Sequence, residues 1–169
     1  MPILNLSPDD YAHLRALAGR IYAERGINHH TIQPTILLHE AWARMARADG
    51  EYASKEHFMA TAARAMRQIL VDRARAQATV RRGQNPRRTT LAGIEDTGFP
   101  VVDVLELDAA MTDLEAVDSD AVEVVLLRLF GGLTVPELSK VLELSPRTVK
   151  RKWRFARIYL AKKLGEPVL

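Results

Sequence analysis

The stretch LTVPELSKVLELSPRTVKRKWRFAR, residues 133–157, decides how the C-terminal part of the chain is organised. It predicts two short helices separated by a tight turn. Thr134 can cap the first helix, and Glu137 follows at the spacing of a capping box. Ser145 can cap the second helix, with Pro146 at its first position. Two capped helices joined by about three or four residues are typical of a helix-turn-helix.

The second of these helices has an apolar side and a cationic side. Apolar residues recur along it at the period of an α-helix, and no Asp or Glu occurs between Ser145 and Lys163. Basic side chains at the start of such a helix suit phosphates and the acceptor edge of guanine. The pattern therefore favours DNA binding over a solvated basic helix. The cationic side consists of Arg147, Lys150, Arg151, Arg154 and Arg157.

Length and composition limit the other functions. At 169 residues the chain can form one domain or two small ones. It has no cysteine, which excludes disulfides and thiolate metal sites and fits a cytoplasmic protein. The sequence shows no signal peptide and no apolar run long enough to span a membrane. Its five histidines are scattered and no glycine-rich phosphate loop occurs, so we expect no metal, no cofactor and no enzymatic activity.

The N-terminal part predicts three helices, near residues 7–25, 34–47 and 55–80. Such a set makes a small helical bundle. The third helix is rich in arginine, and Asp72 is the only acid between Arg64 and Arg88. The bundle therefore has a basic surface of its own, separate from the helix-turn-helix.

The sharpest change in composition follows this third helix. Gly, Asn and Pro between residues 83 and 86 end the bundle. From Thr89 to Leu127 the chain has ten acids and no Lys or Arg. Residues up to about 100 predict a linker, and four helices follow from Val104 to Leu164. We therefore expect an all-α protein of two small helical domains joined by an acidic linker. Packing of the acidic segment on the basic helices is an open possibility.

In this order and over this length, the motifs resemble a bacterial sigma-70 family RNA polymerase sigma factor of the extracytoplasmic-function (ECF) type. FGGLTVPEL at 130–138 and LSPRTVKR at 144–151 resemble sigma region 4. TIQPTILLHEAWAR at 31–44 and HFMATAARAMRQILVDRAR at 57–75 resemble sigma region 2.

The resemblance implies a division of the chain into a region 2 domain at 1–82, a linker at 83–103 and a region 4 domain at 104–169. Such a protein binds core RNA polymerase and directs promoter-specific transcription initiation. Region 4 would read the −35 promoter element, with expected DNA contacts from Arg147, Thr148, Lys150, Arg151 and Arg154.

Region 2 would read and help melt the −10 element. A pocket for a flipped base and a basic path for the single strand are the features that such a role needs. We expect Phe58 to be a core residue. The expected contacts are Tyr52, Arg64, Arg67, Gln68 and Arg75.

The helix that would bind the polymerase clamp departs from the pattern of most relatives. Expected contacts are Leu38, His39, Glu40 and Trp42, but the sequence QPTI at 33–36 replaces the usual acidic cluster. One interpretation is binding through apolar contacts and Glu40. The other is phosphorylation of Thr35 by a Ser/Thr kinase, which would add about 1.5 to 2 negative charges at a helix N-terminus. An anti-sigma partner also remains open.

The alternative function is a stand-alone helix-turn-helix transcriptional regulator that binds operator DNA as a dimer. The basic helix at 57–82 argues against it, because a simple repressor has no use for a second cationic surface. Dependence of DNA binding on polymerase separates the two interpretations.

Overall fold

The fold is built of α-helices, as the sequence predicted. The computed structural model describes residues 7–9, 11, 12, 14, 15, 34–47, 52–80, 90, 91 and 102–165. Residues 8, 9, 11, 12, 14 and 15 are helical. The longer helices are α1 (Pro34–Arg47), α2 (Lys55–Val80), α3 (Val104–Val117), α4 (Ser119–Leu129), α5 (Val135–Leu142) and α6 (Pro146–Leu164).

A short strand pair, which the sequence did not predict, precedes α3. Strand β1 (Thr90–Leu91) pairs antiparallel with β2 (Val102–Asp103). The rest of the predicted linker at 83–103 lies outside the described residues. The Asp103 carboxylate then caps α3, accepting hydrogen bonds from the backbone N–H groups of Leu105 and Glu106 at 2.9 and 3.0 Å.

Helices α1 and α2 pack against each other through apolar stripes at helical spacing. Leu37, Leu38 and Ala41 of α1 are each no more than 3% exposed. From α2, Phe58 and Met66 are buried at the same level. The prediction that Phe58 is a core residue is therefore confirmed.

The helix-turn-helix forms as its capping signals predicted. The Thr134 backbone N–H donates to the Glu137 carboxylate at 2.7 Å, and the Glu137 N–H donates to the Thr134 hydroxyl, which completes the capping box. The Thr148 N–H donates to the Ser145 hydroxyl at 3.2 Å. Between α5 and α6 lie three residues, of which Glu143 adopts the left-handed conformation with φ 53°.

Burial of one side of α6 fixes the direction of the other. Val149, Ala156 and Leu160 are fully buried against α3, α4 and α5. Trp153 is half-buried, with the Arg128 guanidinium 4.9 Å from its ring centroid. The cationic side of α6 therefore faces outward.

An ion pair of Lys152 with the start of α4 holds α6 in place. The Lys152 ammonium lies 2.7 Å from the Asp118 carboxylate and 3.7 Å from that of Asp120. Asp118 also caps α4 by accepting from the Ala121 N–H at 3.0 Å. Burial alone would raise the pKa of Asp118, but the hydrogen bonds from Lys152 and the backbone outweigh it and lower that pKa.

The N-terminal and C-terminal helices pack together, since α2 contacts α3, α4 and α5. Gly131, after α4, lies directly against α2. A Cβ at this position would be 3.1 Å from the Ala63 Cβ and 2.5 Å from the Leu127 carbonyl oxygen. Only a glycine permits this approach without displacing the backbone. The sequence left this packing open, and the structure shows it.

Replacing Asp118 by Asn tests the anchoring of α6. Asn can still cap α4, so the substitution removes mainly the ion pair with Lys152. We expect a loss of about 1 kcal/mol in the free energy of unfolding near neutral pH, measured by urea titration. Because the native pKa of Asp118 is lowered, its contribution is present above pH 3.8 and is lost as the pH falls through the native value. The difference between wild type and variant should therefore shrink in acid, and a constant difference would contradict this account.

Candidate nucleic-acid interface

The five residues predicted to contact the −35 element lie together on α6. They line one cavity of about 570 Å³. Within the described parts of the chain, the four cations among them make no ion pair with an acid. Thr148 is half-buried, and its Oγ1 accepts a hydrogen bond from the Ser145 hydroxyl at 2.9 Å. The exposed cations are Arg147, Lys150, Arg151 and Arg154.

This arrangement concentrates positive charge on one rigid helix whose opposite side is buried. Cationic side chains that are uncompensated and exposed can bind phosphates with release of counterions. Those near the start of the helix can also reach base edges in a major groove. The chemistry of the surface is therefore that of a DNA-binding helix.

Three of the residues predicted to contact the −10 element lie on one side of α2, and all three are paired. The Arg64 guanidinium lies 2.6 Å from the Glu123 carboxylate of α4. Arg67 and Arg75 both contact Asp108 of α3, at 2.6 and 3.3 Å. We call Arg64, Arg67 and Arg75 the α2 arginine face. Each of its guanidinium groups is paired with a carboxylate of the acidic helices, although Arg64 and Arg75 remain 47% and 62% exposed.

The other two −10 candidates have different neighbours. Gln68 donates to the Asp72 carboxylate at 2.9 Å, and Arg44 of α1 contacts the second oxygen of that carboxylate at 3.1 Å. These hydrogen bonds, from Gln68 first and Arg44 second, lower the pKa of Asp72. Tyr52 is half-buried edge-on against Phe58, with ring centroids 5.3 Å apart, and burial raises the pKa of Tyr52. Gln68 therefore lies one helical turn from Arg64, beside the α2 arginine face, with its amide directed to Asp72. Tyr52 instead packs on Phe58.

The predicted polymerase contacts on α1 divide into buried and accessible residues. Leu38 is in the core at 3% exposure, so its side chain does not face a partner in this arrangement. Trp42 is half-buried beside Phe58, and Glu40 is ion-paired with Arg73 of α2. His39 is exposed.

The sequence interpretation missed Ile36, which is 46% exposed on α1. An apolar residue in the first turn of a helix without acids was the available signal. The Thr35 backbone is helical, but its side chain lies outside the described residues. The interpretation also did not single out Asp108 and Glu123, although both belong to the run of ten acids.

The described residues contain no cluster of side chains suited to a metal ion, and no helix among them is long and apolar enough to cross a membrane. The expectation that the protein has no metal site and no membrane association stays a prediction.

Comparison with known proteins identifies the family of the chain. Neither the curated proteins nor the solved structures gave a match. A family model described as ECF sigma factor matches residues 5–166. This family consists of transcription factors that are not enzymes, and its members bind core RNA polymerase and promoter DNA. Because the match covers nearly the whole sequence, the chain belongs to the ECF sigma factor family and is a sigma factor that directs transcription initiation.

Proposed function

We propose that the cationic side of α6 reads the −35 element of the promoters that this sigma factor selects. The observation that supports this most strongly is the set of four exposed cations along one cavity of a capped helix whose opposite side is buried. Arg147 and Lys150 are nearest the helix start and suit base edges. Arg151 and Arg154 follow at the next turn and suit phosphates.

We further propose the division of labour that this assignment requires. Residues 1–82 form the region 2 domain, which binds core polymerase and the −10 element. Residues 83–103 form the linker, and residues 104–169 form the region 4 domain. The α2 arginine face suits a single strand because its guanidinium groups can bind phosphates and stack on bases.

The clamp-binding role falls to the accessible side of α1. Ile36 offers an exposed apolar side chain and His39 an exposed polar one. Among the first-turn residues of α1 there is no carboxylate to complement a basic partner. This supports apolar contacts as one contribution to polymerase binding, and it leaves room for a negative charge that is added by modification.

We propose phosphorylation of Thr35 as that modification. Thr35 is the second residue of α1, where the helix dipole favours a negative charge. A phosphate there would supply the charge that the segment lacks. The modifying enzyme would be a Ser/Thr kinase.

Alanine substitutions at Arg147, Arg151 and Arg154 test the −35 assignment. The substitutions are made in the Thr35→Glu chain, since the proposed phosphorylation predicts that the unmodified chain binds little polymerase. Promoter fragments are first selected from genomic DNA by core RNA polymerase reconstituted with that chain, with discrete start sites as the criterion. Loss of a base contact should weaken holoenzyme binding by about 1 to 3 kcal/mol, and loss of a phosphate contact should lower the salt slope by about 1. Lys162→Ala is the matched control, since Lys162 is an exposed cation in the last turn of α6, outside the cavity.

Equal effects of Lys162→Ala and the three arginine variants would mean that only net charge matters. Tight binding of the free chain to duplex DNA without polymerase would instead favour a stand-alone regulator.

Thr35→Ala and Thr35→Glu test the modification. We expect unmodified protein and Thr35→Ala to capture little core polymerase in a pull-down, and Thr35→Glu to capture several-fold more, because a carboxylate restores part of the missing charge. Thr112→Glu, at an exposed threonine of α3, controls for added charge elsewhere. Full promoter activation by Thr35→Ala in cells would end the phosphorylation hypothesis.

A further inference from the structure

The turn of the helix-turn-helix holds one residue in a conformation that glutamate rarely adopts. Glu143 has φ 53° and ψ 36°, in the left-handed region where a Cβ lies too close to the following carbonyl oxygen. Glycine is the usual residue at this position after a helix, because it has no Cβ. The side chain of Glu143 is exposed and makes no hydrogen bond or ion pair within the described residues. The backbone strain is therefore offset by contacts that other groups of the turn make.

Ser139 of α5 supplies such contacts through two of its polar groups. Its backbone carbonyl accepts hydrogen bonds from the N–H of Glu143 and, at 3.2 Å, from the N–H of Leu144. Its side-chain hydroxyl donates to the carbonyl oxygen of Leu144. One residue of α5 thus binds both backbone polar groups of Leu144. Any residue could provide the carbonyl, whereas the second bond depends on the hydroxyl of Ser139.

The bond to the Leu144 carbonyl holds the peptide group from which α6 begins. Because a peptide group is planar, it also fixes the direction of the Ser145 N–H. Ser145 is the N-cap of α6, and its hydroxyl lies 3.2 Å from the backbone nitrogen of Thr148 and 2.9 Å from Thr148 Oγ1. A path of hydrogen bonds and one peptide group therefore connects α5 to a residue that we expect to contact DNA.

The ion pairs that hold α6 lie further along the helix. Lys152 in the second turn and Lys163 in the last turn pair with acids of α3 and of the start of α4. In the first turn, Arg147 and Lys150 are exposed and make no ion pair among the described residues. The direction of these two side chains therefore depends on how the backbone of the first turn is held.

We propose that Ser139 is a positioning residue for recognition of the −35 element, because its hydroxyl holds the start of α6 in one geometry. This inference rests on the proposed role of α6 at that element. Ser139 acts through Leu144 and Ser145 and does not itself contact DNA. Hydrogen bonds to base edges depend strongly on distance and angle, whereas attraction to phosphates does not. Loss of the hydroxyl should therefore weaken discrimination between base sequences more than it weakens DNA binding in general.

Substitution of Ser139 by Ala and by Thr tests the positioning. The variants are made in the Thr35→Glu chain, reconstituted with core RNA polymerase, and compared on a selected promoter and on the same fragment with a scrambled −35 element. We expect Ser139→Ala to lower the ratio of the two affinities by roughly three- to tenfold. Polymerase capture and binding to the scrambled fragment should stay unchanged. Ser139→Thr keeps a hydroxyl on the same carbon and should keep a ratio near that of wild type.

The matched control is Ser119→Ala, which removes an exposed hydroxyl at the start of α4. It should leave the affinity ratio unchanged. A loss of discrimination in Ser119→Ala as large as that in Ser139→Ala would contradict a specific role of Ser139.

A second substitution separates positioning from stability. Ser139→Ala should lower the midpoint of urea unfolding, because a hydrogen bond is lost. Adding Glu143→Gly relieves the left-handed strain and should raise the midpoint again. It cannot restore the bond to the Leu144 carbonyl, and glycine makes the turn more flexible. We therefore expect the double variant to recover stability and still to discriminate poorly.

Recovery of discrimination together with stability in the double variant would overturn the proposal, since Ser139 would then act through stability alone. Wild-type discrimination in Ser139→Ala would also overturn it if Arg147→Ala lowers discrimination in the same assay. If neither variant changes discrimination, the proposed reading of the −35 element by the start of α6 is wrong, and the positioning role is wrong with it.

Discussion

Compensation of charge between two basic helices and one acidic unit is the constraint on which the structure depends. Helices α2 and α6 are both cationic, and α3 with α4 supplies the opposing carboxylates. Asp108 contacts α2, whereas Asp113 contacts Lys163 of α6 at 2.9 Å. Asp118 contacts Lys152 on the same helix. These ion pairs neutralise the sides of α2 and α6 that contact α3 and α4. The two basic helices can therefore pack in one molecule while the outer side of α6 stays cationic.

Helices α3 and α4 pair with the cations of α2 and of α6 in two different ways. Lys152 and Lys163 are structural cations, because their acids lie within the C-terminal helices. The α2 arginine face is neutralised from outside its own group of helices, so its ion pairs can be exchanged for another polyanion. The helix proposed to read duplex DNA thus presents cations without an acidic partner among the described residues, whereas the arginines of the helix proposed to hold single-stranded DNA are paired with carboxylates.

Local signals in the sequence predicted much of the fold, and long-range contacts were beyond them. The caps at Thr134 and Ser145 and the bounds of α1 and α2 depend on neighbours within a turn or two, so spacing was sufficient. The five α6 residues could also be named, because helical period alone decides which side faces outward. That Asp108 would bridge two arginines of α2 could not be predicted, since charge composition does not specify which residues meet. The burial of Leu38 and the exposure of Ile36 likewise depend on how α1 packs, and β1–β2 is too short to leave a pattern.

The measurement that tests the central claim most directly is energy transfer in the free protein between dyes on α2 and α6, compared for wild type and Asp108→Lys at low salt. The account predicts high transfer in wild type and lower transfer in Asp108→Lys, because the new cation would lie against Arg67 and Arg75. Equal transfer in the two proteins would contradict it.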